Sequence, residues 1–224
     1  NVKNKRDRLF FTQLFVPQAS QSSYDRRAEL DVRLAIPSAQ SACGMEDFMK
    51  VVDMHCDTIA ALYENKEKGW TLQDNRLHIR LDKMKQGDYL LQNFALFVCT
   101  ENCADPYQQA LTLADCFDRQ MALFPEQIGQ VRCYNDILEN QKNGRISALL
   151  TIEEGAVCQG SLEKLREFYD RGVRMLTLTW NFPNEIGFPN FAISEDGKPD
   201  RTVPNTKDGL TEFGFLFLEE MERL

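Results

Sequence analysis

The sequence predicts an α/β fold organised on a parallel sheet and, within that class, a barrel. Three observations carry this. Strand-like and helix-like segments alternate along most of the chain, which is the pattern of repeated βα units. The strand candidates are nearly continuous in apolar residues, as in sheets covered on both faces. The residues able to do chemistry (His55 and Asp57, Glu153, then Trp180 and Asn181) stand at the C-terminal ends of strands, where parallel α/β sheets place their sites. A doubly wound sheet normally carries a glycine-rich turn after its first strand. Met54-His55-Cys56-Asp57 has no glycine, and this favours the barrel.

Taken in order, Val51–Thr58 is the first strand, and Ile59–Lys68 reads as a short helix closed by Gly69. Arg76–Leu81 and Asp82–Gln86 read as a connector, in which His78 is structural or solvent-facing rather than a ligand. Leu90–Cys99 is a buried strand, and Pro106 opens an amphipathic helix to about Leu123, with Ala110, Leu113, Ala114, Phe117 and Met121 on one stripe. Tyr134–Lys142 is a helix ended by Asn143-Gly144, and Ile146–Ile152 is a strand running into Glu153-Glu154-Gly155. Ser161 caps a helix that Gly172 stops, and Val173–Trp180 is the fourth strand. A Pro/Gly/Asn-rich loop from Asn181 to Asp208 follows; loops of that length are usually functional. Thr211–Leu224 begins a last helix.

Residues 1–44 differ from the rest. They hold seven basic against four acidic residues, a net +3 in a chain of net −8, and show no sustained period. They are expected to be a non-native or disordered extension, with the domain, 45–224, starting near Met45. The acidic balance argues against nucleic acid or an anionic membrane as a partner. No apolar run approaches the ~20 residues that span a bilayer. The seven cysteines are scattered and odd in number, which points to free thiols in a reducing cytoplasm.

Val51–Thr58 carries the main functional signal. In an extended strand Asp53, His55 and Asp57 project to one side, with Met54 and Cys56 on the other. An imidazole and a carboxylate two residues apart on a rigid strand end can grip a divalent cation, with a further carboxylate behind. The same pattern also suits the solvated face of an edge strand. Glu153, at the end of another strand, could reach the same ion and bridge to a second. A two-metal site of this kind makes a nucleophilic hydroxide at neutral pH and clamps the carbonyl under attack. Glu153 read alone also suits a helix-dipole partner or a solvated turn.

Asp53-Met54-His55-Cys56-Asp57, Leu150-Thr151-Ile152-Glu153-Glu154-Gly155, the run Arg171–Asn181 and Gly209-Leu210-Thr211-Glu212-Phe213-Gly214 resemble, in the family's order, the renal (membrane) dipeptidase family of zinc peptidases, in a bacterial-type version. The resemblance implies a (β/α)8 TIM-type barrel, of which this chain holds roughly the first half. It also implies two zinc ions per full-length subunit, hydrolysis of dipeptides, and homodimerisation as an assembly to test. By resemblance His55 and Asp57 ligate the first zinc, Glu153 bridges both and is the catalytic carboxylate, and Asp53 orients His55 from behind. Glu154 falls where relatives often carry Gly or Asp and is not a ligand. Trp180 and Asn181 lie in the substrate pocket, with Trp180 where the mammalian enzymes have a substrate-contacting histidine. The family's second-zinc histidines, substrate-binding arginine and late catalytic aspartate fall beyond Leu224. The chain is therefore expected to be an N-terminal fragment without turnover of its own. The alternatives are another metal-dependent barrel hydrolase, acting on amides, lactones or phosphoesters, and a non-catalytic remnant. Most amidohydrolases begin with His-x-His rather than His-x-Asp, which counts against the first.

Overall fold

The apolar strands pair in parallel, as their composition requires. The computed structural model describes residues 50–224 together with the strand Phe11–Thr12. Strands β1 (Phe11–Thr12), β2 (Val51–Asp53), β3 (Tyr89–Phe97), β4 (Ile128–Gln130), β5 (Ile146–Glu153) and β6 (Val173–Thr177) form one sheet in the order β1-β6-β5-β3-β2. Short β4 lies against the first residues of β5, Ile146 to Ala148, ahead of the stretch from Leu150 that β6 takes up. Every pairing in this sheet is parallel. Strands β7 (Phe191–Ile193) and β8 (Pro199–Pro204) make a separate antiparallel hairpin.

The helices are α1 (Thr58–Glu64), α2 (Leu81–Gln86), α3 (Pro106–Leu123), α4 (Tyr134–Lys142), α5 (Leu162–Arg171) and α6 (Glu212–Arg223). Their boundaries have local causes. Asp105 accepts the Gln108 N–H at 3.1 Å ahead of Pro106, Ser161 accepts from Lys164 at 3.3 Å, and Thr211 accepts from Gly214 at 3.0 Å. Gly172 ends α5 at φ 104°, a left-handed conformation that glycine adopts without a Cβ penalty. No described helix is long and apolar enough to cross a membrane.

Alternate residues of β3 and β5 (Phe94 and Leu96; Ala148, Leu150 and Ile152) join the buried residues of α1, α3, α5 and α6 in the main core. Phe94, Phe117, Phe168 and Phe217 are completely buried there, each worth about 1.5–3 kcal/mol in apolar burial. On the opposite face Leu91 and Leu149 form a smaller cluster with Val131, against Ile137 of α4. Glu153 has the parity of Leu149 and Thr151, so it leaves β5 on that opposite face, away from the main core.

Several sequence expectations need correction. The first strand stops at Asp53, so His55 and Asp57 stand in a turn rather than alternating along a strand. Asp82–Gln86 belongs to a helix, α2. The fourth strand ends at Thr177 instead of Trp180, because Asn184 binds the Leu178 carbonyl and Glu154 binds the Trp180 N–H, which removes both from the ladder. The loop after it contains the β7–β8 hairpin, turning at Gly197 with φ 79°. The strands β1 and β4 add to the four expected from sequence. Apart from Phe11–Thr12, which pairs with Met175 and Leu176, the expected extension over 1–44 lies outside the described residues.

Candidate metal centre

Asp53 closes β2 and immediately redirects the chain. Its Oδ1 accepts the backbone N–H of His55 at 3.1 Å, an Asx-type turn. The turn stays pinned to the sheet, since the Cys56 carbonyl accepts the Ala95 N–H of β3 at 3.0 Å. Asp57 then occupies the N-cap position of α1, yet its carboxylate makes no capping hydrogen bond with the helix backbone. It faces His55 instead, with Oδ1 3.4 Å from Nε2.

The third group comes from the sheet. Glu153 is the last residue of β5, level with Phe97 of β3 and Thr177 of β6, and its Oε2 lies 3.1 Å from the same His55 Nε2. One nitrogen and two carboxylate oxygens from three residues thus lie within 4.8 Å of one another. Two ligands about 2.1 Å from a tetrahedral zinc ion sit about 3.4 Å apart, so these separations fit a small divalent ion. The donor set, imidazole plus two carboxylates, is one that zinc accepts. Glu153 is held deep, its side chain 10% exposed, whereas Asp57 is 57% exposed, so one side of the site is open. Among the described residues this is the one cluster of three or more potential ligands.

Without a cation, the two carboxylates act on the imidazole. Hydrogen bonds that the imidazole donates to Asp57 and then Glu153 raise the His55 pKa to about 10 against the cost of partial burial. An imidazole held protonated in this way must lose its proton before it can ligate a metal. Cys56, next in sequence, is pushed up to about 11 by burial, which keeps its thiol protonated and outside the donor set.

The remaining expected residues divide. Asp53 contacts the backbone of His55. Trp180 meets Phe97 edge-on, ring centroids 5.0 Å apart, and Phe97 is the register neighbour of Glu153, so the indole stands beside the metal site. It also lines a cavity of about 280 Å³ with Leu178, Gly187, Phe188 and Leu210; Asn181 does not line it. His78 is exposed and outside the cluster. Glu154 is 1% exposed and turned away from the triad, accepting N–H groups from Ala156, Trp180 and Asn184. Burial raises its pKa and the three donors oppose that rise. Asn184 gave no sequence signal beyond its place in a Pro/Gly/Asn-rich loop.

A profile of membrane dipeptidases, peptidase family M19, matches residues 40–224. The chain belongs to the membrane dipeptidase family. It is 31% identical over 158 residues to the uncharacterized dipeptidase C965.12 of Schizosaccharomyces pombe, covering 66% of this chain and 36% of that protein. It is 30% identical over 195 residues to dipeptidase 3 of Rattus norvegicus, covering 83% and 37%. Its fold resembles that of a metallopeptidase of the family, dipeptidase AC, at TM-score 0.64 and 24% identity over 78% of this chain and 54% of that one. It also resembles a metallopeptidase from Rhodobacter sphaeroides, solved with a phosphinate mimic of the dipeptide L-Ala-D-Ala, at TM-score 0.61 and 20% identity over 78% and 56%. The chain thus spans well under half the length of the curated relatives it matches.

Proposed function

We propose that this chain supplies the first metal-binding arm of a zinc-dependent dipeptidase. The observation that carries the reading is the convergence of Asp57, His55 and Glu153 oxygen and nitrogen atoms, from two separate strand ends, at ligand spacing. His55 and Asp57 would hold the first ion, and Glu153, with two carboxylate oxygens at a rigid strand end, would bridge to a second. A bound pair of zinc ions supplies a nucleophile at neutral pH and polarises the scissile carbonyl. The chain's own residues do the rest: Asp53 fixes the backbone that carries His55, Glu153 presents its carboxylate from a rigid strand end, and Trp180 walls the space where a dipeptide is oriented. The phosphinate mimic held by the Rhodobacter sphaeroides relative supports a dipeptide as substrate class.

The whole fold is proposed to be a (β/α)8 barrel. In support, β2, β3, β5 and β6 lie side by side in sequence order without the reversal that marks a doubly wound sheet. The native domain is proposed to start near Met45, five residues inside the family match. Zinc titration of the full-length protein tests the function: His55→Ala and Glu153→Ala should abolish one site and dipeptide turnover together, and unchanged stoichiometry and turnover in both would refute it. For residues 1–224 alone, with three ligands from one arm, we expect no turnover above background.

A further inference from the structure

Behind Trp180 lies a hydrogen-bond hub that the metal triad does not use. Glu154 has φ 86°, the left-handed half of conformational space, where a side chain is strained unless its surroundings hold it. Its Oε1 accepts from Ala156 N at 3.1 Å and Asn184 Nδ2 at 2.8 Å, and its Oε2 accepts from Trp180 N at 3.2 Å. Asn184 extends the hub: its Nδ2 also donates to the Leu178 carbonyl at 2.8 Å, and its Oδ1 accepts from Ile186 N at 2.8 Å and Gly187 N at 3.1 Å.

Neither Glu154 nor Asn184 lines the 280 Å³ cavity, yet together they fix the backbone at Leu178, Trp180 and Gly187, three of its walls. The packing behind these walls has no slack. A Cβ on Gly155 would lie 2.7 Å from the Leu178 carbonyl and 2.6 Å from Ile186 Cδ1, and one on Gly214 would overlap the Ile186 carbonyl. At about 280 Å³ the cavity lies at the lower end of the about 300–1,000 Å³ range of small-molecule sites, with room for a substrate side chain. Trp180, Phe188, Pro189 and Leu210 give it apolar walls, Asn190, Asn205 and Asp208 line its polar side, and Trp180, which also meets Phe97, links it to the end of β3 that pairs with Glu153.

We propose that this cavity takes one apolar side chain of the substrate, and that Glu154 and Asn184 are positioning residues that set its shape from behind. The identity of the occupant rests on the dipeptidase reading; the positioning role does not.

The full chain with Trp70→Phe leaves Trp180 as the only indole, so its emission reports the cavity wall. In that background the Trp180 amide should exchange slowly. Glu154→Gly, which removes the acceptors while suiting the backbone, should cut its protection at least about tenfold, the worth of one charge-assisted hydrogen bond. Its emission should also shift to the red. Asn184→Ala should do the same at Gly187, and Glu154→Gln, which keeps an acceptor oxygen, should retain most of the protection. An unprotected Trp180 amide in the unmodified chain would overturn the positioning role, a result that does not depend on any variant folding. So would protection and emission unchanged in both Glu154→Gly and Asn184→Ala. For the occupant, Gly-Leu should alter Trp180 emission and Gly-Asp should not, with the response lost in Glu154→Gly. Equal responses to both dipeptides would overturn the apolar pocket. These readouts need no turnover, so a failed zinc titration would overturn the dipeptidase reading and leave the positioning role standing.

Discussion

Of the two consecutive glutamates at the end of β5, Glu153 faces the His55 imidazole across 3.1 Å, while Glu154 turns into a shell of three N–H donors. Both are nearly buried, and both are carboxylates on the same turn. They differ in what satisfies them. Glu154 has its acceptor capacity taken up by neutral donors of the protein itself, so it is a fastening. Glu153 faces an imidazole that is a proton-bearing placeholder, and so it is available to a cation. A buried carboxylate is therefore read by its partners more than by its depth.

The largest expected effect falls on metal binding. Removing one of three ligands by His55→Ala or Glu153→Ala should cost more zinc affinity than the about 10–100-fold lost with a ligand's supporting partner. Competition against a chromophoric chelator measures it. Glu153→Gln should do the same while costing only about 1 kcal/mol in urea unfolding, because one hydrogen bond from the protonated His55 loses its charged acceptor. If Glu154→Ala instead proved the stronger loss of zinc, the division of labour between the two residues would be wrong.

Stability separates them the other way. Glu154→Ala leaves up to three N–H groups short of an acceptor, at about 1–3 kcal/mol for each that stays buried. Partial rehydration and relaxation reduce the sum, and we expect a net loss of about 2–5 kcal/mol in urea unfolding. Glu154→Gly loses the same acceptors but relieves the φ 86° strain, so it should be the more stable of the two. The reverse order would show that the backbone is not strained there.

The pH dependence follows from His55. With its folded pKa raised to about 10 from an ordinary 6.5, the protonated imidazole stabilises the metal-free chain fully below the lower value. That contribution is lost as pH rises through about 10. Thermal unfolding of metal-free protein should therefore fall between pH 7 and 10 by more in the unmodified chain than in His55→Ala. Zinc affinity should move oppositely, rising with pH while the bound ion displaces close to one proton. Calorimetry in buffers of different ionisation enthalpy counts that proton; a value near zero at pH 7 would mean that His55 is already neutral.

Much of this was legible in the sequence, and the exceptions share a cause. The bounds of α3 and α4 and the starts of α5 and α6 follow from nearby residues such as Asp105-Pro106, Ser161 and Thr211. The triad was legible because His-x-Asp after a strand and a glutamate at another strand's end are local patterns whose meeting a parallel sheet enforces. Distant side chains reset the rest. Trp180 looked like strand until Glu154, from another strand's end, took its N–H. Asn184, 30 residues from Glu154, could not be paired with it from spacing. The hairpin after β6 was hidden because β7 has only three residues, although Asp196-Gly197 marks its turn.

The smallest effect tests the turn between β2 and the metal arm. Asp53 touches the site through one hydrogen bond, to the His55 N–H, and the strand-to-turn switch depends on it. Asp53→Ala should lower zinc affinity about tenfold, the low end for a ligand's supporting partner, and stability by about 1 kcal/mol. Asp53→Asn keeps an oxygen in the same place and should restore both. If Asp53 acted instead through its charge on His55, the asparagine variant would fall with alanine. The backbone bond predicts that the two variants part, because what His55 needs from Asp53 is an acceptor at 3.1 Å and not a second negative charge.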